Sequence, residues 1–195
     1  MAVPYKAPVK DIVFGYEVID SYNVLNKISA FSDFSEDIVI PTMEECAKFS
    51  EEILAPINSI GDQQGATIKD GIVTMPEEFV DAYKKFAEAG WASISLPSDI
   101  GGGGMPITLS GGTLEILSTA NLAFGLAPGL SAGAISAINF HGNQEQKDKF
   151  LPKLVSGEWT GTMNLSEPQS GSDLGTITTK AEPQEDGSYK ITGTK

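Results

Sequence analysis

Glu167 and Asp173 stand six positions apart in the run Met163-Asn-Leu-Ser-Glu-Pro-Gln-Ser-Gly-Ser-Asp-Leu-Gly175. Two carboxylates on one loop can act as an acid/base pair. Loop carboxylates also accept backbone N–H bonds and so hold a loop in shape, and both are read here in that second way. Between them, Ser170, Gly171 and Ser172 can turn hydroxyls and free amides into one concavity, an anion nest that needs no arginine. For that arrangement a strand delivers Leu165 and Ser166, Pro168 stiffens the exit and Gly171 adopts a positive φ. The same residues equally fit a Ser/Asx turn with nothing bound.

Elsewhere reactive side chains are sparse. His141, the single histidine, lies beside Gly142 at a helix end with no serine or cysteine partner, and reads as a packing or capping residue. Cys46, the single cysteine, falls on an apolar helical stripe and reads as core rather than as a reactive thiol. One His and one Cys exclude a disulfide framework and any His/Cys metal cluster, so no metal site is assigned. Gly101–Gly104 lacks the Gly-Lys-Ser/Thr ending of a phosphate loop, and the next lysine is Lys147; a flexible turn is expected there.

Charge narrows the partners. The 195 residues hold 13 lysines and no arginine against 26 acidic residues, a net charge of −13. Such a chain does not suit a phosphate backbone or an anionic membrane surface. Its 41% hydrophobic content is enough for a packed core. The most apolar stretch, Asn121–Phe140, is interrupted by Pro128 and several glycines, so no transmembrane helix is expected, and the N-terminus shows no targeting pattern. A cytoplasmic protein is expected.

The elements that must position these residues are mostly helical. Residues 1–34 read as an opening segment, with Pro4 and Pro8 extended and an amphipathic helix from Tyr16 to Ile28. A long helix follows Ser35 and ends or kinks at Pro56, and Gly61–Gly71 is a loop. Thr74 and Glu77 have capping-box spacing before a helix that stops at Gly90. Helices over Pro106–Thr119 and Leu122–Phe140 are poor in charge and suit a bundle centre. Asn143 and Gln146 cap a last helix that Pro152 divides. Beyond Gly157, Trp159–Leu165 and Thr176–Glu182 alternate as strands, and Asp186-Gly187 marks a hairpin with Tyr189–Thr192. Because the chain stops just after a strand, it is expected to be the front of a longer protein, cut within a β-domain.

The run Leu165-Ser-Glu-Pro-Gln-Ser-Gly-Ser-Asp-Leu-Gly175, followed by Asp186-Gly-Ser-Tyr-Lys-Ile-Thr-Gly-Thr-Lys195, closely resembles the central signature of acyl-CoA dehydrogenases. Gly90-Trp91 through Leu96-Pro97, His141-Gly142 with Gln146-Lys147 and Phe150–Leu154, and Ser156-Gly157-Glu158 are similar to further family segments in the right order. Tyr5-Lys6-Ala7-Pro8, Asp11 and Phe14 resemble the N-terminal extension of a longer branch.

This resemblance implies a mainly α fold: an extension over 1–34, a helical N-terminal domain over 35–157, and the first strands of an incomplete middle β-domain over 158–195. It implies FAD as cofactor, an acyl-CoA thioester as substrate, α,β-dehydrogenation as the reaction, an electron-transfer acceptor protein as partner and a homo-oligomer at full length. Met163, Asn164, Leu165 and Ser166 would lie along the flavin ring, with Ser166 where the family most often has Thr. Gly171 would admit the cofactor, Ser172 would meet the FAD diphosphate or the CoA chain, and Glu167 would shape the loop. The family's catalytic glutamate belongs to its C-terminal domain, so no catalytic residue is expected in this chain, nor turnover or tight FAD binding by it alone. The alternatives are an acyl-CoA oxidase of the same fold, a member acting on a sulfur-containing short acyl-CoA such as 3-methylmercaptopropionyl-CoA, and a non-enzymatic helical interaction module if the gene ends at Lys195.

Overall fold

Pro8 starts the first helix rather than delaying it. In the computed structural model, which describes residues 4–195, Pro8 is the N-cap of α1, Val9–Val18; its fixed φ and missing N–H suit a helix start. Left-handed Asp20, with φ 54°, then turns the chain into the short α2, Ser21–Leu25. The single helix expected over Tyr16–Ile28 is therefore two pieces, divided where an aspartate tolerates positive φ.

From Ser35, α3 runs Glu36–Phe49. Pro56 neither ends nor sharply breaks the helical run. A π-helical turn, Ser50–Leu54, leads directly into α4, Ala55–Gln64. The Ala55 N–H bonds the Ser50 carbonyl across this wider turn, and Pro56 arrives where amides already lack an i−4 partner. The expected loop after it holds a hairpin instead. Strands β1, Thr67–Lys69, and β2, Ile72–Thr74, pair antiparallel with Thr67 opposite Thr74. Asp70 and Gly71 between them both have positive φ, as a two-residue hairpin turn requires. Thr74 Oγ1 meets Thr67 Oγ1 at 2.7 Å, so the expected capping box does not form; α5, Glu77–Glu88, starts from Pro76 without a side-chain cap. Gly90, at φ 76°, follows the last turn of α5 as expected.

Helix α6, Ile107–Ala120, lies where a bundle centre was expected, burying Leu109, Gly112, Thr113, Ile116, Leu117 and Ala120. Helix α7, Leu122–His141, does not. It buries Phe124, Gly125, Ser131 and Ile135 and leaves Leu122, Leu126, Leu130 and Phe140 exposed. It runs unbroken through Pro128, as the helix expected over Leu122–Phe140 requires, and is long and apolar enough to cross a membrane by length and composition. Helix α8, Gln144–Val155, opens on the predicted capping box: Asn143 Oδ1 accepts from the Gln146 N–H, and Gln146 Oε1 from the Asn143 N–H, both at 2.9 Å. Pro152 lies inside α8 without dividing it.

Two units divide between Gly161 and Thr162. In the first, Tyr16, Phe34, Met43, Leu54, Phe86, Leu109 and Ile116 belong to one core, and Ile135, Leu151, Leu154 and Val155 form a smaller one between α7 and α8. Side chains of this size contribute about 1.5–3 kcal/mol each when fully buried. The opening segment joins the main core through Ala7, Val13 and Tyr16. It is tied down by Tyr5 Oη, which donates to the Ile116 carbonyl at 3.0 Å, and by Glu51, which accepts from the Ala7 N–H at 2.9 Å.

In the second unit, β3, Lys180–Pro183, pairs antiparallel with β4, Tyr189–Thr192, Lys180 facing Thr192 and Pro183 facing Tyr189. Left-handed Gly187, at φ 81°, lies in the expected Asp-Gly turn. The strand expected over Trp159–Leu165 does not pair, and of the one expected over Thr176–Glu182 only Lys180–Glu182 does; 159–166 is unladdered, and Thr176 ends a short 3-10 turn, Leu174–Thr176.

Candidate functional site

Glu167-Pro-Gln-Ser170 closes on itself. The Glu167 N–H donates to the Ser170 carbonyl at 2.7 Å and the Ser170 N–H to the Glu167 carbonyl at 3.0 Å. Ser170 is buried and its hydroxyl donates to the Asp173 carbonyl at 2.7 Å. The nest is corrected accordingly: Ser170 has neither a free amide nor a free hydroxyl to offer an anion. Gly171 has no positive φ; a Cβ built there meets nothing within 4 Å, so the position is open rather than conformationally demanding. Ser172 is exposed. Asp173 Oδ1 accepts from the Gly175 N–H at 3.0 Å, an Asx turn that starts the 174–176 helix.

Glu167 organises the rest. Its Oε2 accepts from Gln169 Nε2 at 2.6 Å, the Thr178 N–H at 2.8 Å and Thr178 Oγ1 at 3.0 Å. Its Oε1 accepts from Lys195 Nζ at 2.9 Å and the Thr179 N–H at 3.0 Å. The Thr179 side chain, the Thr178 amide, Lys195 and the Thr179 amide together hold the carboxyl well below the usual carboxylate range, against the opposing effect of desolvation. The buried Thr179 hydroxyl acts on the carboxylate by proximity, since it makes no hydrogen bond of its own, and the hydroxyl bond comes from Thr178. A carboxylate so engaged is permanently ionised near neutral pH and has no lone pair directed at a substrate. Glu167 and Asp173 are thus loop-shaping groups, as read from the sequence, and not an acid/base pair.

The other side of this segment is open. Met163 and Leu165 are 68% and 40% exposed. Ser166 is exposed, and among the described residues neither its N–H nor its hydroxyl is hydrogen-bonded; Asn164 makes only a 3.4 Å contact with Thr162 Oγ1. Residues 163–166 therefore present apolar side chains beside unpaired donors. Gln169, Thr178 and Lys195 were missed as members of the network because their partners are distant in sequence. The one local cue was Glu167 followed by a threonine-rich run.

Two of the remaining sequence candidates, the Gly101–Gly104 turn and Cys46, are structural. At Gly101–Gly104 the amides of Gly102, Gly103, Gly104 and Met105 donate to the carbonyls of Pro97, Ser93, Leu96 and Ile94 at 2.8–3.1 Å. These amides cannot cradle a phosphate, and the turn is pinned rather than flexible. Cys46 is wholly buried with Sγ 3.6 Å from the Thr113 carbonyl, and burial pushes its thiol up to about 12. His141 is the exposed last residue of α7. Among the described residues no cluster of three or more His, Cys, Asp or Glu is placed to hold a metal.

The helical unit, the Glu-Pro-x-x-Gly-Ser-Asp loop and the hairpin that follow one another here are matched in the acyl-CoA dehydrogenases, and the chain belongs to that family. The family's model "Acyl-CoA dehydrogenase, N-terminal domain" matches residues 42–158. Among particular relatives, 3-methylmercaptopropionyl-CoA dehydrogenase of Ruegeria pomeroyi is 41% identical over 98% of this chain and 32% of its own length. The crystal structure of an acyl-CoA dehydrogenase complexed with FAD from Bacillus anthracis is 27% identical with a TM-score of 0.67, over 83% of this chain and 26% of that one. A structure described as the electron transferring flavoprotein of Acidaminococcus fermentans is 26% identical with a TM-score of 0.68, over 83% of this chain and 39% of that one. The chain spans about a third of the length of the curated relatives it matches.

Proposed function

We propose that this chain forms the N-terminal part of a FAD-dependent acyl-CoA dehydrogenase that removes hydrogen across the α,β-bond of an acyl-CoA thioester. In this reading 35–157 is the helical domain and 158–195 the start of the β-domain. The observation that carries it is the 41% identity to a named acyl-CoA dehydrogenase along almost the whole chain.

The residues present fit the cofactor. A flavin ring is apolar on its faces and polar at one edge, and the strip 163–166 sets the exposed Met163 and Leu165 beside the unpaired N–H and hydroxyl of Ser166. When bound, FAD accepts the two electrons taken from the substrate. The chain's own part is to bind and orient. Met163 and Leu165 cover apolar surface, and Asn164 and Ser166 donate to polar atoms. The open side of Gly171 lets backbone come close, and Ser172 offers its hydroxyl to the FAD diphosphate or the CoA chain. With no arginine in this chain, diphosphate charge is met here only by dipoles and lysines. The acceptor partner is an electron-transferring flavoprotein, supported by the likeness to the Acidaminococcus structure, and the assembly is a homo-oligomer.

A sulfur-containing short acyl-CoA is the finer substrate reading, because 3-methylmercaptopropionyl-CoA is what the Ruegeria relative is named for. The test uses the gene product that carries this chain, purified with FAD and assayed for acyl-CoA-dependent dye reduction across chain lengths. Dye reduction without peroxide supports the dehydrogenase, and highest kcat/KM for the thioether substrate supports the finer reading. Peroxide formation with O₂ uptake would make it an oxidase, and absence of bound flavin would overturn the proposal.

A further inference from the structure

Lys195 Nζ bridges two acceptors in the second unit: Glu167 Oε1 at 2.9 Å and the carbonyl of Leu165 at 3.0 Å. Glu167 cannot shift to follow a moving lysine, because the Thr178 and Thr179 amides and Gln169 hold its other lone pairs. The ammonium is fixed in turn, and with it the Leu165 carbonyl. A trans peptide is planar with its C=O and N–H pointing oppositely. Pinning the Leu165 carbonyl therefore aims the Ser166 N–H away from Lys195, on the side where it has no partner among the described residues. A cation on the carbonyl also polarises the peptide and makes that N–H a stronger donor.

We infer that Lys195 is a positioning residue that locks and polarises the Leu165–Ser166 peptide so that the Ser166 N–H stands ready for a hydrogen-bond acceptor on the flavin's polar edge. The inference rests on the FAD reading above and adds a residue from the far end of the hairpin to the cofactor site. Lys195 touches no cofactor atom itself; it acts through one peptide plane. The rival explanation is that Lys195 merely stabilises the loop, as any partner of Glu167 does.

Holoprotein variants Lys195→Met, Lys195→Arg and Thr178→Ala separate the two. Thr178→Ala removes a hydroxyl bond to Glu167 and leaves the Leu165 carbonyl held, so it reports loop loosening alone. The expected result for Lys195→Met is FAD affinity weakened by about tenfold, the worth of one charge-assisted bond, together with a shift of the flavin visible band and midpoint potential. Lys195→Arg should restore most of both, and it serves if Lys195→Met does not fold. Thr178→Ala should leave band and potential unchanged. A Lys195→Met holoprotein with wild-type affinity, band and potential overturns this inference alone, as does a Thr178→Ala protein with the same spectral change. A wild-type protein that binds no flavin overturns the functional reading and this inference with it.

Discussion

Lys195 and Glu167, 28 positions apart, form a 2.9 Å ion pair in which the carboxylate is only 1% exposed. Among the described residues, Glu167 and Ser170 are the only buried ones of the second unit, and β3 and β4 are exposed throughout. Within residues 162–195 the loop is tied together by the polar network around Glu167. Its order therefore depends on the charge state of one glutamate.

That dependence has a sign. Hydrogen bonds hold the Glu167 carboxyl well below its ordinary range, so its contribution is complete above the unfolded glutamate value of about 4.3. It is lost as pH falls from there through the lowered folded value. Amide exchange at Thr178 and Thr179 should accordingly stay slow at neutral pH and accelerate only in strong acid, after correction for the intrinsic rate. Glu167→Gln should raise both exchange rates about tenfold or more at pH ~7; unchanged protection would remove Glu167 from its organising place.

Asn121 joins two helices that the sequence does not bring together. Wholly buried, its Oδ1 accepts from the Phe124 N–H at 3.0 Å and its Nδ2 donates to the Leu54 carbonyl at 3.1 Å. Asn121→Ala should cost about 2–4 kcal/mol in urea unfolding, a lost cap plus a buried carbonyl without its donor. Asn121→Asp keeps the cap and loses the donor, so it should destabilise as well; a neutral result for either contradicts the bridge.

The glycine turn at 101–104 can be tested sterically. A Cβ on Gly103 would lie 2.6 Å from the Ile94 carbonyl oxygen. Gly103→Ala should lower stability by about 1–3 kcal/mol. Gly111→Ala, where a Cβ meets nothing within 4 Å, should be neutral or slightly stabilising on an exposed helical face. Similar midpoints for the two variants would show that the turn yields.

Cys46 offers a reactivity test. Its burial and raised pKa predict no thiolate below pH ~9 and no access for reagent. Labelling by a maleimide should be undetectable in the native protein over hours and complete within minutes in denaturant. Native labelling at the denatured rate would place Cys46 outside the core.

What was legible in the sequence was local. Gly90, the Asn143/Gln146 box and Asp186-Gly187 each act within a few residues, and each lies where its chemistry places it. Thr74 shows the limit: the same residue fits a helix cap and a strand end, and pairing with Thr67 decides for the strand. Pro56 and Pro152 read as breakers, yet a π turn accommodates one and α8 contains the other. The outward apolar face of α7 was unreadable because composition shows that a helix is apolar, not which sides of it have neighbours.

The sequence by itself determined the helical class, the absence of arginine and hence the way this chain can meet anionic groups, and the loop motif that marks the family. Only the tertiary structure decided how that motif is used. Ser170 turned inward, Gly171 proved open rather than left-handed, and Glu167 drew in Thr178, Thr179 and Lys195. The physical reason is range: turn and cap preferences are set by atoms a few bonds away, whereas a buried carboxylate is satisfied by whatever donors the folded chain returns to it.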